Sequence, residues 1–237
     1  MSNPEATPTP ESGPAILVTG GSSGLGAAVV DAVLKSGGRP YVIDRQAPAE
    51  GVAWVECDLA DTRAAEAATR QVVEQAGGLN GVVTAAGMDV PGTLVDTPGE
   101  TWERIVTIDL LATAAVVRAA IPALKQSHGT VVTIASTLGV KAVSDATAYC
   151  AAKFGVVGFT RALAAELAGQ VGVTLIVPGG MRTKFFDDRD PQYKPGPDAI
   201  LNDPANVASA IMFALSQPAG CAVREMVICA ETETSYP

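Results

Sequence analysis

Ser136, Tyr149 and Lys153 have the types and spacing of an acid–base device. Tyr149 and Lys153 are four residues apart, so on a helix they share one face. A phenol is a poor base at neutral pH, with a pKa of about 10. A neighbouring ammonium stabilises the phenolate and lowers that value. A serine hydroxyl can donate a hydrogen bond to a substrate oxygen. The three together could move a proton to or from a carbinol or carbonyl oxygen. Taken alone, Tyr-x-x-x-Lys also fits an ordinary helix start with an exposed lysine.

A second group of residues suits a phosphate-bearing ligand. Thr19-Gly20-Gly21-Ser22-Ser23-Gly24-Leu25-Gly26 lies between an apolar run and a helical pattern. Glycines there allow a tight turn and a close approach of backbone to pyrophosphate, and the helix N-terminus offers N–H donors. A glycine-rich turn with no ligand remains the alternative. No Lys-Ser/Thr pair follows the last glycine, which excludes a P-loop. Asp44 ends the next apolar run, where an acidic side chain would bind a ribose 2′-hydroxyl. The adjacent Arg45 could bind a 2′-phosphate, but Asp44 would repel that phosphate, so NAD is expected in preference to NADP.

These residues need elements to hold them. Apolar runs at 15–19, 41–44, 52–55, 79–85, 129–135, 171–177 and 225–230 read as strands. Segments 25–35, 62–76, 101–125, 146–168 and 204–215 read as helices. Continuous apolar strands alternating with helices predict a parallel sheet covered on both faces. The expected fold is therefore α/β: a single doubly wound Rossmann-type domain with a parallel sheet of about seven strands, over 14–237. Residues 1–13, polar and proline-rich, are expected to form a disordered tail. Residues 179–203 are too long for an ordinary connection, and they follow a strand's carboxyl end. They are expected to form a lid over the ligand crevice.

Composition narrows the function classes. The chain has 237 residues, 48% of them hydrophobic and 17% charged, with 16 Lys plus Arg against 25 Asp plus Glu. A net charge of −9 argues against nucleic-acid binding. No apolar run reaches the roughly 20 residues of a membrane span, and the N-terminus lacks the pattern of a secretory signal. Cys57, Cys150, Cys221 and Cys229 form no CxxC pair, so reduced thiols and a cytoplasmic location are expected. One histidine, His128, and no cysteine cluster leave no metal site. His128 is expected to be solvated or capping. In the lid, Phe185, Phe186 and Tyr193 either line an apolar pocket or anchor the lid. Arg182, Lys184 and Arg189 are expected to be solvated, with recognition of a substrate anion as the alternative.

The chain resembles the short-chain dehydrogenase/reductases. The resemblance runs from about Pro14 to Cys229. It rests on TGGSSGLG, Asp58 after the third strand, Ala85-Ala86-Gly87, Ser136 followed by YCAAK, and Pro178-Gly179 followed by Thr183. It implies that Gly20, Gly24 and Gly26 line the cofactor phosphates, with Ser22 or Ser23 adding a hydroxyl and Leu25 beneath. Asp58 and Leu59 would flank the adenine, and Ala85, Ala86 and Gly87 the ribose. Pro178, Gly179 and Thr183 would meet the nicotinamide. Ser136 would orient the substrate oxygen, Tyr149 transfer the proton, and Lys153 hold the ribose and tune Tyr149.

Three departures stand out. Asp109 occupies the position where the family usually has an Asn of the proton relay. Thr84-Ala85-Ala86-Gly87 replaces Asn-Asn-Ala-Gly. The tail ETETSYP replaces a Gly-Gly ending. The implied activity is NAD-dependent interconversion of a secondary alcohol and a ketone, on a small molecule, in a homodimer or homotetramer. The other reading is a dinucleotide-binding sensor with little turnover, which Asp109 alone favours.

Overall fold

A computed structural model describes residues 13–236. All but one of the residues in the expected tail, 1–12, lie outside the described residues. Seven strands run in the order β1 (Ala15–Thr19), β2 (Arg39–Asp44), β3 (Ala53–Glu56), β4 (Gly81–Thr84), β5 (Thr130–Ile134), β6 (Gly172–Pro178) and β7 (Glu225–Ile228). They form one parallel sheet in the order β3-β2-β1-β4-β5-β6-β7. The order reverses between β1 and β4, so a crevice opens beyond the carboxyl ends of those two strands. This is the doubly wound fold expected from the alternating pattern.

Alternate residues of each strand feed two cores. Leu17, Tyr41, Ile43, Val82 and Val131 face one side and pack under α2 (Thr62–Ala76), α4 (Ala112–Ser127) and the end of α5 (Thr147–Glu166). Ile16, Val18, Val42, Val83 and Val132 face the other, under α1 (Gly24–Lys35) and α6 (Pro204–Leu215). Burial on both faces explains why these strands carry continuous apolar runs rather than an alternating pattern.

Two sequence expectations needed refinement. The helix expected over 101–125 is three pieces: α3 (Gly99–Val106), a π-helical turn (Thr107–Leu111) and α4. The continuous run Gly99–Ser127 has the length and composition of a membrane span, yet half of its apolar 18-residue stretch is buried inside the fold. His128 caps α4 in the left-handed region, with φ 49°, as its position before Gly129 suggested.

Candidate active site

The glycine loop is shaped by packing that only glycine permits. Gly20 has φ +70°, and a Cβ there would sit 2.7 Å from the Ala86 Cα. A Cβ on Gly26 would run into the Gly20 carbonyl, so α1 can approach the end of β1 only without one. The N-cap Ser23 makes no side-chain bond to the helix, and no acidic residue stands in the first turn. The first N–H groups of α1 are thus left for an anion, and the cradle fits a dinucleotide pyrophosphate. Asp44, at the end of β2, faces this loop: its Oδ2 accepts from the Ser22 N–H at 3.0 Å and its Oδ1 from the Gln46 N–H at 3.1 Å. Arg45 is exposed.

Around the crevice, the remaining cofactor candidates fall into place unequally. Leu25 and Leu59 are buried in the two cores. Asp58 accepts the Ala60 N–H and pairs with Arg104 of α3 at 2.9 and 3.2 Å, which holds its carboxyl below the usual carboxylate range. The Ala86 N–H donates to Thr19 Oγ1 at 3.2 Å, tying the segment after β4 to the end of β1. Thr84 stands where the resemblance leads one to expect Asn, and its Oγ1 is buried with no partner. Thr183 packs over the glycine loop: a Cβ on Gly24 would lie 3.5 Å from the Thr183 Cβ. Gly179 fits closely beneath the C-terminal tail, since a Cβ there would lie 2.6 Å from both the Cys229 Cβ and Glu233 Oε2.

Ser136, Tyr149 and Lys153 meet at the carboxyl end of β5. Ser136 follows the strand and caps a short 3-10 turn (Thr137–Gly139). Its Oγ accepts the Leu138 N–H at 3.1 Å, which leaves its own proton free to donate. Tyr149 and Lys153 lie on the first turns of α5, and both are buried. Lys153 Nζ donates to the Ile134 carbonyl at 3.1 Å and stands 5.4 Å from the Tyr149 ring centre. The Lys153 side chain was expected to lower the pKa of Tyr149. The phenol is instead pushed above its usual range, first by burial and then by the charge of Asp109; the nearby Ser136 hydroxyl pulls the other way.

Asp109 is placed here by the π turn. Its residue is only 1% exposed. Its Oδ1 accepts the Met88 N–H at 2.9 Å, and its buried Oδ2 has no partner. Burial raises its pKa from 3.8 to about 6, against the attraction of Lys153 and the Met88 bond. Close packing sets this up: a Cβ on Gly155 of α5 would come within 2.6 Å of Leu110 Cδ2, so the π turn lies directly on α5.

Two features escaped the sequence. Asp89 makes a buried ion pair with Arg189 of the lid, Nη2 to Oδ2 at 2.8 Å. Arg189, expected to be solvated, is therefore a packed residue, and Phe185 stands 5.8 Å from the Tyr149 ring. Arg182 and Lys184 are exposed, as expected. The tail closes the far side. Glu233 Oε2 accepts the Gly180 N–H at 3.0 Å, and Ser235 Oγ donates to Thr137 Oγ1 at 2.6 Å. No motif marks either feature, because both join segments remote in sequence.

A doubly wound sheet with a dinucleotide cradle and a Ser, Tyr and Lys cluster over its crevice defines a nucleotide-dependent oxidoreductase class. Residues 14–194 match the family described as short chain dehydrogenase, and the chain belongs to that family. It is 28% identical over 252 residues to L-fucose dehydrogenase of Mus musculus, covering 98% of this chain and 92% of that one. It is 30% identical over 226 residues to 2,5-dichloro-2,5-cyclohexadiene-1,4-diol dehydrogenase of Sphingobium indicum, covering 87% and 90%. The fold also matches alcohol dehydrogenase from Thermococcus sibiricus, a structure complexed with 5-hydroxy-NADP. That match has a TM-score of 0.82 at 20% identity and covers 94% of this chain and 98% of that one. The chain is thus an oxidoreductase of a family that uses NAD or NADP with alcohol and ketone substrates.

Proposed function

We propose that the protein interconverts a secondary alcohol and a ketone using NAD, with Tyr149 as the acid/base. The observation that carries this reading is the meeting of Tyr149, Ser136 and Lys153 at the strand end beside the cradle. The nicotinamide accepts or donates the hydride. Ser136, its Oγ fixed by the Leu138 N–H, donates to the substrate oxygen. Tyr149 moves the proton, and Lys153, held by the Ile134 carbonyl, supplies positive charge beside the phenol and N–H donors for the cofactor ribose. Gly20, Ser22, Ser23, Gly24, Leu25 and Gly26 hold the pyrophosphate. Asp44 takes the ribose hydroxyls and excludes a 2′-phosphate, with Arg45 at the rim. Asp58, Leu59, Ala85, Ala86 and Gly87 border the adenosine side, and Pro178, Gly179 and Thr183 the nicotinamide side. Asp109 takes the place of the relay Asn.

Two further points belong to this reading. Leu111 and Phe154 are exposed apolar residues beside and on the two long helices, which supports a homodimer or homotetramer joined there. All four cysteines are unpaired, which supports a reducing, cytoplasmic setting. A panel of secondary alcohols and ketones assayed with NAD(H) and NADP(H) tests the function. Turnover supports it. Tight dinucleotide binding with no turnover of any member would favour the sensor reading, to which Asp109 lends support.

A further inference from the structure

The tail that stands in place of a Gly-Gly ending folds back over the carboxyl ends of β5 and β6. After β7, the Gly179 N–H donates to the Ile228 carbonyl at 3.0 Å, and a turn is closed by the Glu233 N–H on the Ala230 carbonyl at 2.9 Å. Glu233 Oε2 accepts the Gly180 N–H at 3.0 Å, and its Oε1 accepts the Ser235 N–H at 3.1 Å. Ser235 Oγ lies 2.7 Å from Glu233 Oε1 and 2.6 Å from Thr137 Oγ1. Lys141 Nζ donates to the Thr234 carbonyl at 2.8 Å. One carboxylate and one hydroxyl thus join the residue after Ser136 to the residue after Gly179.

These bonds stand where the sheet no longer holds its strands together. Among the described residues, the last direct hydrogen bond between the β5 and β6 segments runs from the Ala135 N–H to the Ile176 carbonyl at 2.8 Å. Beyond it, Ser136 and Gly179 lead into separate loops, and the hydrogen bonds that connect those loops pass through the tail. The Gly180 carbonyl is taken by the Asn202 N–H at 2.9 Å, so this residue is fixed by the base of the lid on one side and by the tail on the other. Hydrogen bonds to a carboxylate are stronger than neutral ones. The Ser235 hydroxyl and the backbone N–H donors hold the Glu233 carboxyl below the usual glutamate range, against its partial burial.

In the proposed reaction Ser136 orients the substrate oxygen and Gly179 borders the nicotinamide. The gap between their segments then sets how the reacting carbon meets the cofactor, and a misplacement of about 1 Å costs on the order of 10²-fold in rate. We infer that Glu233 is a positioning residue: with Ser235 it forms a clasp that fixes the gap between the Ser136 turn and the Gly179–Gly180 backbone. The inference rests on the alcohol–ketone reading above for its effect on rate.

Glu233→Ala, Glu233→Gln, Ser235→Ala and the double variant Glu233→Ala/Ser235→Ala test it in the full chain. Amide hydrogen exchange is followed first, on the cofactor-free protein. In Glu233→Ala, exchange should quicken about tenfold in both 137–141 and 179–183. Glutamine keeps an acceptor for the Gly180 N–H and should leave 179–183 within about threefold of the wild type. Single-turnover NADH formation, with saturating NAD and the best alcohol of the panel, then reads the hydride step. Glu233→Ala should slow it at least tenfold, with NAD affinity changed less than threefold, and Glu233→Gln should restore most of the rate. A tail that only adds stability would lower Tm and leave this rate unchanged. The clasp needs both residues, so the double variant should lose no more than Glu233→Ala alone. Ser235→Ala removes one hydroxyl and remains informative if Glu233→Ala fails to fold: it should loosen 137–141 and slow the hydride step. An unchanged rate, exchange that quickens in only one segment of Glu233→Ala, or losses that multiply in the double variant would overturn the proposal. Joint loosening, with no turnover of any alcohol by the wild type, upholds the clasp and overturns the oxidoreductase reading.

Discussion

Asp109 and Lys153 converge on the α-carbon of Gly87: a methyl group built there would lie 2.9 Å from Asp109 Oδ1 and 3.5 Å from Lys153 Nζ. A carboxylate and an ammonium therefore share one small buried space beside the phenol of Tyr149. Glycine at position 87 leaves room for the Asp109 carboxylate, whose Oδ1 a Cβ there would crowd.

That arrangement sets a pH response. Ionised Asp109 disfavours the Tyr149 phenolate. Unit charges about 6 Å apart interact by roughly 3 kcal/mol at an effective dielectric near 20, on the order of two pK units before screening. Asp109→Asn should move the acid limb of the alcohol-oxidation profile downward, by about one pH unit after screening. Profiles of kcat/KM against pH for the two forms check it. An unchanged or upward-shifted limb would show that the charge of Asp109 does not act on Tyr149.

The same carboxyl predicts a stability difference. Its pKa rises from 3.8 to about 6 on folding, so the folded state holds the proton more tightly. That contribution is full below about pH 4 and is lost as pH rises through about 6. Ionised Asp109 then costs up to about 3 kcal/mol. Urea melts should find Asp109→Asn more stable than wild type by about 1–3 kcal/mol near pH 8, with the gap closing near pH 4. A gap that widens on acidification would contradict the burial of this group as the cause.

Tyr149→Phe removes the proton donor and leaves the ring packed against Phe185. Turnover should drop by about 10²–10⁴-fold, with dinucleotide affinity changed only a few-fold. Lys153→Ala should impair both, because Lys153 also faces the cofactor ribose in the proposed arrangement. Steady-state kinetics beside NADH titration by fluorescence separate the two effects. A Phe variant with most of its activity would remove Tyr149 from the mechanism.

Cofactor choice is expected to follow Asp44. NAD(H) should bind at least tenfold tighter than NADP(H), about 1.4 kcal/mol, and Asp44→Ala should narrow that gap. Competitive titration of the two reduced cofactors is sufficient. Equal or tighter NADPH binding would mean that Arg45 governs the site.

Legibility in the sequence divided along a physical line. Local patterns read correctly: the apolar strands, the glycine turn, and the i, i+4 placement of Tyr149 and Lys153. These depend on residues close in the chain or on a period the sequence displays. Asp89 with Arg189, and Glu233 and Ser235 with Gly180 and Thr137, could not be read, since each pair is made by tertiary approach alone. Asp109 was noticed as a departure, but its burial and unpaired Oδ2 follow from the π turn, which has no local signature. The largest influence on Tyr149 was hidden for a similar reason. The pull of Lys153 and the opposing push of the Asp109 carboxylate are legible as charges in the sequence, while the burial that raises the phenol most comes from the packing of remote segments.

The π turn also marks where the long helix can change length. Thr107–Leu111 accommodates one residue more than an α-helix of equal span. Removing a single residue there, Ile108 for instance, would let the segment close into regular α-helix with the flanking turns kept in phase. Val116, Ala120 and Leu124 would stay in the core, and Ile105 in its packing with Ala148 and Tyr149. Asp109, which the extra residue sets in place, would bear the change. The same deletion within α4 would instead turn everything on one side of it by about 100° relative to the other, a phase error between core and catalytic face.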